Sequence, residues 1–306
     1  MTVQTEWRSP AYGEAKKDLI MKAITLEELL EAGCHFGHQV GRQNPKARDY
    51  VFEARDGVHI IDLALTKEGL EKAAEYIKQV ASEDGTLLIV GSKRQAVPVL
   101  TEKLQTLRSA LQEKGVSDNL YTVTARWIGG TLTNSEQMIK NYKRLEDLTE
   151  KLQDEVVKAR YTKKELGLME KQRGKLNTFY SGLLGMTTKP TAIFVIDTHF
   201  EELAVKEAKK MGVPVVGIVD TNADPDPVDY VIPANDDAAG SLELLIGYIL
   251  DAWQEGRTGV EAKKAAKSKK EAAVEEEIKE EEKTEEKKAE KPAKKTTTKK
   301  AKKEDK

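Results

Sequence analysis

Three short stretches of this chain carry residue types that could do chemistry. The first is GCHFGH at 33–38, which brings Cys34, His35 and His38 into five consecutive positions. Thiolate and imidazole are the donors that hold zinc, but a structural site takes four ligands, usually with a second pair far off in the chain. Adjacent Cys34 and His35 do not readily face one ion, so the stretch reads as a packed loop after the short amphipathic helix ITLEELLEAG (24–33). The second is a set of carboxylates. Asp197 and Asp220 each close an apolar run, and Asp224, Asp226, Asp236 and Asp237 follow in loops. With His199 they offer oxygen and imidazole donors to a divalent cation, Mg or Zn, through Asp197, His199 and Asp220. Turn chemistry is the competing reading, since TNADPDP is dense in turn-forming residues.

The third stretch is RWIGGTLTN (126–134), a glycine pair between a strand-like run and a helix-like one. Phosphate cradles are built this way. A Walker motif needs a Lys-Ser/Thr pair after its second glycine, and a dinucleotide fingerprint needs GxGxxG. Neither is present, and VGSKRQ (90–95) is equally thin. The pair therefore reads as a tight strand-to-helix turn, with Thr131, Thr133 or Asn134 able to cap the helix. Its amides, beside Arg126 and Trp127, could instead meet an RNA backbone. No Ser-His-Asp or Cys-His arrangement suggests nucleophilic catalysis, and no residue is assigned a catalytic role. An enzyme or metal-binding protein using the crevice near Asp197 and Asp220 is the alternative class.

These residues need elements to hold them. VHIIDL (58–63), TLLIVG (86–91), YTVTA (121–125), TAIFVID (191–197), PVVGIVD (214–220) and DYVIP (229–233) read as strands, mostly apolar at consecutive positions. That pattern suits a parallel sheet covered on both faces. Helical periodicity falls between them, over 66–82, 93–114, 200–211 and 238–255. Alternating strands and helices predict an α/β fold, a doubly wound, mostly parallel sheet of the flavodoxin or Rossmann kind. From Asn134 to Phe179 no strand is expected. Met138, Ile139, Tyr142, Leu145, Leu148 and Leu152, then Leu166, Met169, Leu176 and Phe179, recur at helical spacing. This predicts a protruding coiled-coil hairpin over 134–179, turning near Tyr161–Thr162. Between Lys140 and Lys175 it carries 11 Lys or Arg against 7 Asp or Glu.

Composition sets the remaining boundaries. Residues 258–306 hold 17 Lys and 13 Asp or Glu and no aromatic residue, too little apolar surface to offset the entropy of ordering. They read as a disordered Lys/Glu-rich tail, either a solubilising polyampholyte or a segment that samples RNA electrostatically. The α/β sandwich is expected over 24–133 and 180–257, behind an N-terminal extension at 1–23. Removing the tail from the totals of 50 basic and 52 acidic residues leaves 33 and 39, so 1–257 is mildly acidic at −6. Nucleic-acid binding would have to come from local basic surface. One cysteine, no bilayer-length apolar run and no signal-peptide core point to a soluble cytoplasmic protein with no membrane partner.

LEELLEAGCHFGHQ (26–39), NPKA (44–47), ARDGVHIIDLALT (54–66), RWIGGTLTN (126–134) and the run from Lys189 to Ala238 resemble the bacterial small-subunit ribosomal protein of the S-two family. The resemblance runs from about Ile24 to Arg257. It implies a parallel α/β sandwich with a coiled-coil hairpin and a structural, non-catalytic role with no required cofactor. The implied partners are small-subunit, 16S-type rRNA and neighbouring ribosomal proteins, including in many bacteria the large messenger-binding ribosomal protein. Cys34 stands where the family usually has a small aliphatic residue, and Gln43 where an aromatic is common. RNA contact would be mainly to phosphates and 2′-hydroxyls. The residues expected to make it are Arg42, Lys46, Arg48, Lys93, Arg94, Arg126, Thr131, Thr133, Asn134, Lys140, Lys143 and Arg144.

Overall fold

A computed structural model describes residues 24–259. The extension at 1–23 and residues 260–306 of the Lys/Glu-rich tail lie outside the described residues. The chain starts with α1 (Leu26–Glu31), whose N-terminus is closed by a capping box between Thr25 and Glu28. Then come β1 (Phe36–Gln39), β2 (Val51–Arg55) and β3 (Val58–Ile61), an antiparallel sheet in the order β1-β3-β2. Two expectations change here. The loop expected at GCHFGH contains a strand, and VHIIDL pairs antiparallel in this small sheet instead of joining the parallel one. β2 had no sequence signal because VFEAR is almost wholly exposed and shows no apolar alternation. Pairing with β3 alone makes it a strand.

The main sheet follows. It contains β4 (Leu87–Val90), β5 (Leu120–Val123), β6 (Ala192–Val195), β7 (Val215–Val219) and β8 (Tyr230–Pro233), all parallel, in the order β5-β4-β6-β7-β8. Apolar runs without alternation fit strands buried on both faces, and successive side chains serve opposite cores. Leu87 and Ile89 face one core with Leu100, Ile77 and Trp253. Leu88 and Val90 face the other with Trp127, Tyr142 and Val205. The first core packs α2 (Leu63–Ser82), α3 (Ala96–Glu113) and a last helix over 239–259. The second packs α7 (Glu202–Met211) and the base of the helical excursion. Strand order reverses at β4, between β5 and β6, which places the ligand crevice of such a fold at the C-terminal ends of β4 and β6.

The excursion between β5 and β6 consists of α4 (Ser135–Gln153), a short α5 (Glu155–Lys158) and α6 (Lys163–Tyr180). α4 and α6 run antiparallel. Asn141 bonds Tyr180 at 3.1 Å, and Arg144 bonds Gln172 at 3.3 Å. The chain reverses over 154–162, and a capping box between Thr162 and Glu165 starts α6. Met138, Tyr142 and Leu145 join the second core, while Leu148 and Leu152 are buried further along α4, outside that core cluster. The base is therefore part of the sheet domain. On α6 only Tyr180 is fully buried. No helix among the described residues is long and apolar enough to cross a membrane.

Candidate functional site

The C-terminal edge of the main sheet collects charge. Lys93 follows β4, Asp197 follows β6, Asp220 follows β7, and Asp236 and Asp237 follow β8. Lys93 Nζ lies 2.7 Å from Asp236, 2.7 Å from Asp237 and 3.1 Å from Asp197. His38 arrives from β1, with Nδ1 3.1 Å from Asp220 and Nε2 3.4 Å from Asp237. Backbone contacts hold the small sheet against this edge. Asn235 N–H donates to the Cys34 carbonyl at 3.0 Å, Asn44 N–H to the Thr221 carbonyl at 2.8 Å, and His38 N–H to Thr221 Oγ1 at 2.9 Å. Gly37 allows this approach, since a Cβ there would lie 2.7 Å from Thr221 Cγ2.

Electrostatics in this cluster are lopsided. Burial pulls the Lys93 ammonium down, but Asp236, Asp237 and Asp197 outweigh it and hold its pKa above the usual lysine value. Burial, then the charges of Asp197 and Asp220, push Asp236 up to about 8 against the pull of Lys93. The hydrogen bond to Asp220 raises His38 despite desolvation. Asp236 Oδ2 is buried with no hydrogen-bond partner.

The expected metal set Asp197, His199 and Asp220 needs correction. His199 is exposed, while Asp197 and Asp220 are buried. Asp197 gives one oxygen to Lys93 and the other to Phe200 N–H, at 2.8 Å. The ligand-type atoms that do converge, within 4.8 Å of one another, belong to His38, Asp236 and Asp237. In the sequence His38 belongs to the GCHFGH cluster, with no sign that it reaches the end of β8. Its neighbours there turn elsewhere. Cys34 lies in the first core, where burial raises its thiol pKa, and the His35 ring packs against Phe36 with centroids 4.0 Å apart.

The glycine turn is a nest of amides, but it is already filled. The Glu207 carboxylate, from α7, accepts from Gly130 N–H at 2.7 Å and Trp127 Nε1 at 3.2 Å through Oε1. Through Oε2 it accepts from Leu132 N–H at 3.1 Å, Thr133 N–H at 3.3 Å and Thr133 Oγ1 at 3.2 Å. Desolvation raises this carboxyl, but the hydrogen bonds win and hold it below its usual value. The expected cap changes accordingly. Asn134 sits at the N-cap of α4 without a side-chain bond to it, and Thr131 is buried with Oγ1 donating to the Ile128 carbonyl at 2.6 Å. Thr131 and the turn amides are thus not presented to an RNA backbone. Of the two glycines only Gly130 is conformationally required, at φ +92°; Gly129 has room for a Cβ.

Residues 29–256 match the ribosomal protein S2 family. The small ribosomal subunit protein uS2 of Chloroflexus aggregans is 45% identical over 235 residues, covering 77% of this chain and 94% of that protein. The uS2 of Chloroflexus aurantiacus is similar to the same extent, 45% over 235 residues. The chain belongs to the ribosomal protein S2 family. The family match takes in the crevice, the filled turn and the helix pair, and stops at residue 256, short of the Lys-rich tail.

Against that background the basic residues sort into two groups. Arg42, Arg48, Arg94, Arg126, Lys140, Lys143 and Arg144 are exposed, as are Thr133 and Asn134. Lys140, Lys143 and Arg144 share one face of α4, while Met138, Tyr142 and Leu145 turn inward. Lys93 does not belong with them, because its ammonium is taken up by three carboxylates and its side chain is only 16% exposed. Lys46 is exposed but is engaged by Asp224 at 2.8 Å and Asp226 at 2.5 Å. Pairing of this kind was invisible in the sequence, where Lys46 lies far from both partners.

Proposed function

We propose that this protein is a structural constituent of the small ribosomal subunit that binds 16S-type rRNA through the loop before α4 and the first turns of that helix. The observation that carries the RNA reading is the row Arg126, Lys140, Lys143 and Arg144, exposed beside a base that is packed into the second core. A locally basic surface on an otherwise acidic protein suits recognition of phosphates and 2′-hydroxyls by shape. Arg42, Arg48, Arg94 and Asn134 extend the candidate surface. The role is structural and needs no catalytic residue. It places the protein in cytoplasmic ribosomes, where its contacts support assembly and translation. Replacing Arg126 and Lys143 together with Glu is expected to reduce the protein's share in small-subunit fractions of a sucrose gradient. Unchanged incorporation would exclude this face.

Neighbouring proteins have a separate surface. An open groove of ≈ 390 Å³ lies between α1 and the small sheet, lined by Leu26, Leu30, Phe52, Ile61 and Leu63, with Phe52 70% exposed. Exposed apolar surface of this kind favours a protein contact, and the large messenger-binding ribosomal protein is the proposed occupant. Phe52→Ser should lower its recovery with purified subunits while leaving rRNA binding intact. The crevice supports a further proposal, a divalent cation held by His38, Asp236 and Asp237, where acids outnumber bases and a buried carboxylate oxygen lacks a partner. Metal content of the purified protein, wild type against Asp236→Asn, tests it; equal content in both rules it out.

A further inference from the structure

One buried charge has no part in either surface just described. Glu207 is 7% exposed, yet it faces five donors and no cation among its hydrogen-bond partners. Three are successive or near-successive backbone amides of one turn, the arrangement that elsewhere binds phosphate or sulfate. Here the anion is supplied by the protein itself. The donors all lie between Trp127 and Thr133, the segment joining β5 to α4, and the acceptor sits on α7, packed on the other side of the turn. Charge-assisted hydrogen bonds are shorter and roughly twice as strong as neutral ones. Five on one carboxylate tie the start of α4 to α7.

We infer that Glu207 is the positioning residue of the helix pair: its carboxylate is an internal anion that orders the Trp127–Thr133 turn and sets the direction in which α4 leaves the sheet. The consequence for RNA rests on the proposed function, because Arg126 precedes this turn and Lys140, Lys143 and Arg144 follow it on α4. The geometry at Glu207 does not rest on it. A turn without its anion would face several N–H groups toward one another. A small carboxylate or phosphate from solution should then be able to take the vacated place.

The experiment uses the full chain with spin labels at Glu102→Cys on α3 and Glu150→Cys on α4, both exposed; Cys34 is fully buried and escapes labelling. In Glu207→Ala the distance distribution between labels should broaden and rRNA affinity should fall about tenfold, the scale of coupling between sites joined by one element. Acetate or inorganic phosphate, but not chloride, should restore both. A distribution as narrow as wild type, or a broadening that neither anion reverses, overturns the inference. If Glu207→Ala fails to fold, the near-isosteric Glu207→Gln is read by amide exchange. Gly130, Leu132 and Thr133 should exchange faster while β4 and β6 keep their protection, and unchanged protection at the turn again overturns it. Arg126→Glu with Lys143→Glu separates the two readings. It should weaken RNA binding and leave the label distances unchanged; undiminished RNA binding would defeat the RNA reading while the distances still decide the role of Glu207.

Discussion

The crevice at Lys93 and the turn at Glu207 are opposite solutions to a buried charge. In the crevice one ammonium and one imidazole face Asp197, Asp220, Asp236 and Asp237, so negative charge is in excess and a carboxylate oxygen stays unsatisfied. In the turn one carboxylate faces only donors and is fully satisfied. The pKa directions follow. Asp236 is raised and Glu207 is lowered, although desolvation raises both. What separates them is the company each carboxylate keeps. The crevice is left with a demand for positive charge, from a proton or a cation, whereas the turn is closed to outside anions.

The contrast can be broken at either end. Lys93→Met should be the largest single effect, since it strands buried carboxylates; about 3–5 kcal/mol is typical for breaking a buried pair, read by urea denaturation. Glu207→Ala should cost about 2 kcal/mol by the same measurement, the scale for leaving buried donors without their charged acceptor. Gly130→Ala should cost about 1–2 kcal/mol, because φ is +92° there, whereas Gly129→Ala should be near neutral in the same urea titrations. Lys46→Ala should be the smallest effect, with little change in the unfolding midpoint, because its pair with Asp224 and Asp226 is exposed.

A pH series sharpens the comparison by sign. Asp236 keeps its proton in the folded state up to about 8 but loses it near 3.8 when unfolded, so its contribution falls as pH rises across that window. His38, raised above 6.5, adds stability that is complete below 6.5 and is lost as pH rises through its folded value. Glu207 acts in the other direction. Its folded value lies below 4.5, so its stabilisation is present above 4.5 and is lost as pH falls through the folded value. Denaturation midpoints should therefore fall as pH rises from mildly acidic values to about 8 in wild type. Asp236→Asn should flatten that slope and leave the acid limb unchanged, while Glu207→Gln should flatten only the acid limb.

Much of this was legible in the sequence, and the limits have physical causes. The strands of the main sheet and the helices around it were readable because burial on both faces leaves unbroken apolar runs and burial on one face leaves a helical stripe. The paired helices were readable from the same stripe, and the family from the order and spacing of its motifs. β2 was not, because an exposed strand without apolar alternation has no pattern until β3 supplies its partner. Lys93, Lys46 and Thr131 were expected to face RNA because a sequence shows a residue's type and neighbourhood, never its distant partners. His38 meets Asp237, and Gly130 meets Glu207, only where the strand order brings their loops together. Local hydrophobic periodicity determined which elements exist. Tertiary structure alone decided which charges are spent inside the protein and which remain for its surroundings, because a buried ion must find its counter-charge wherever the fold places one.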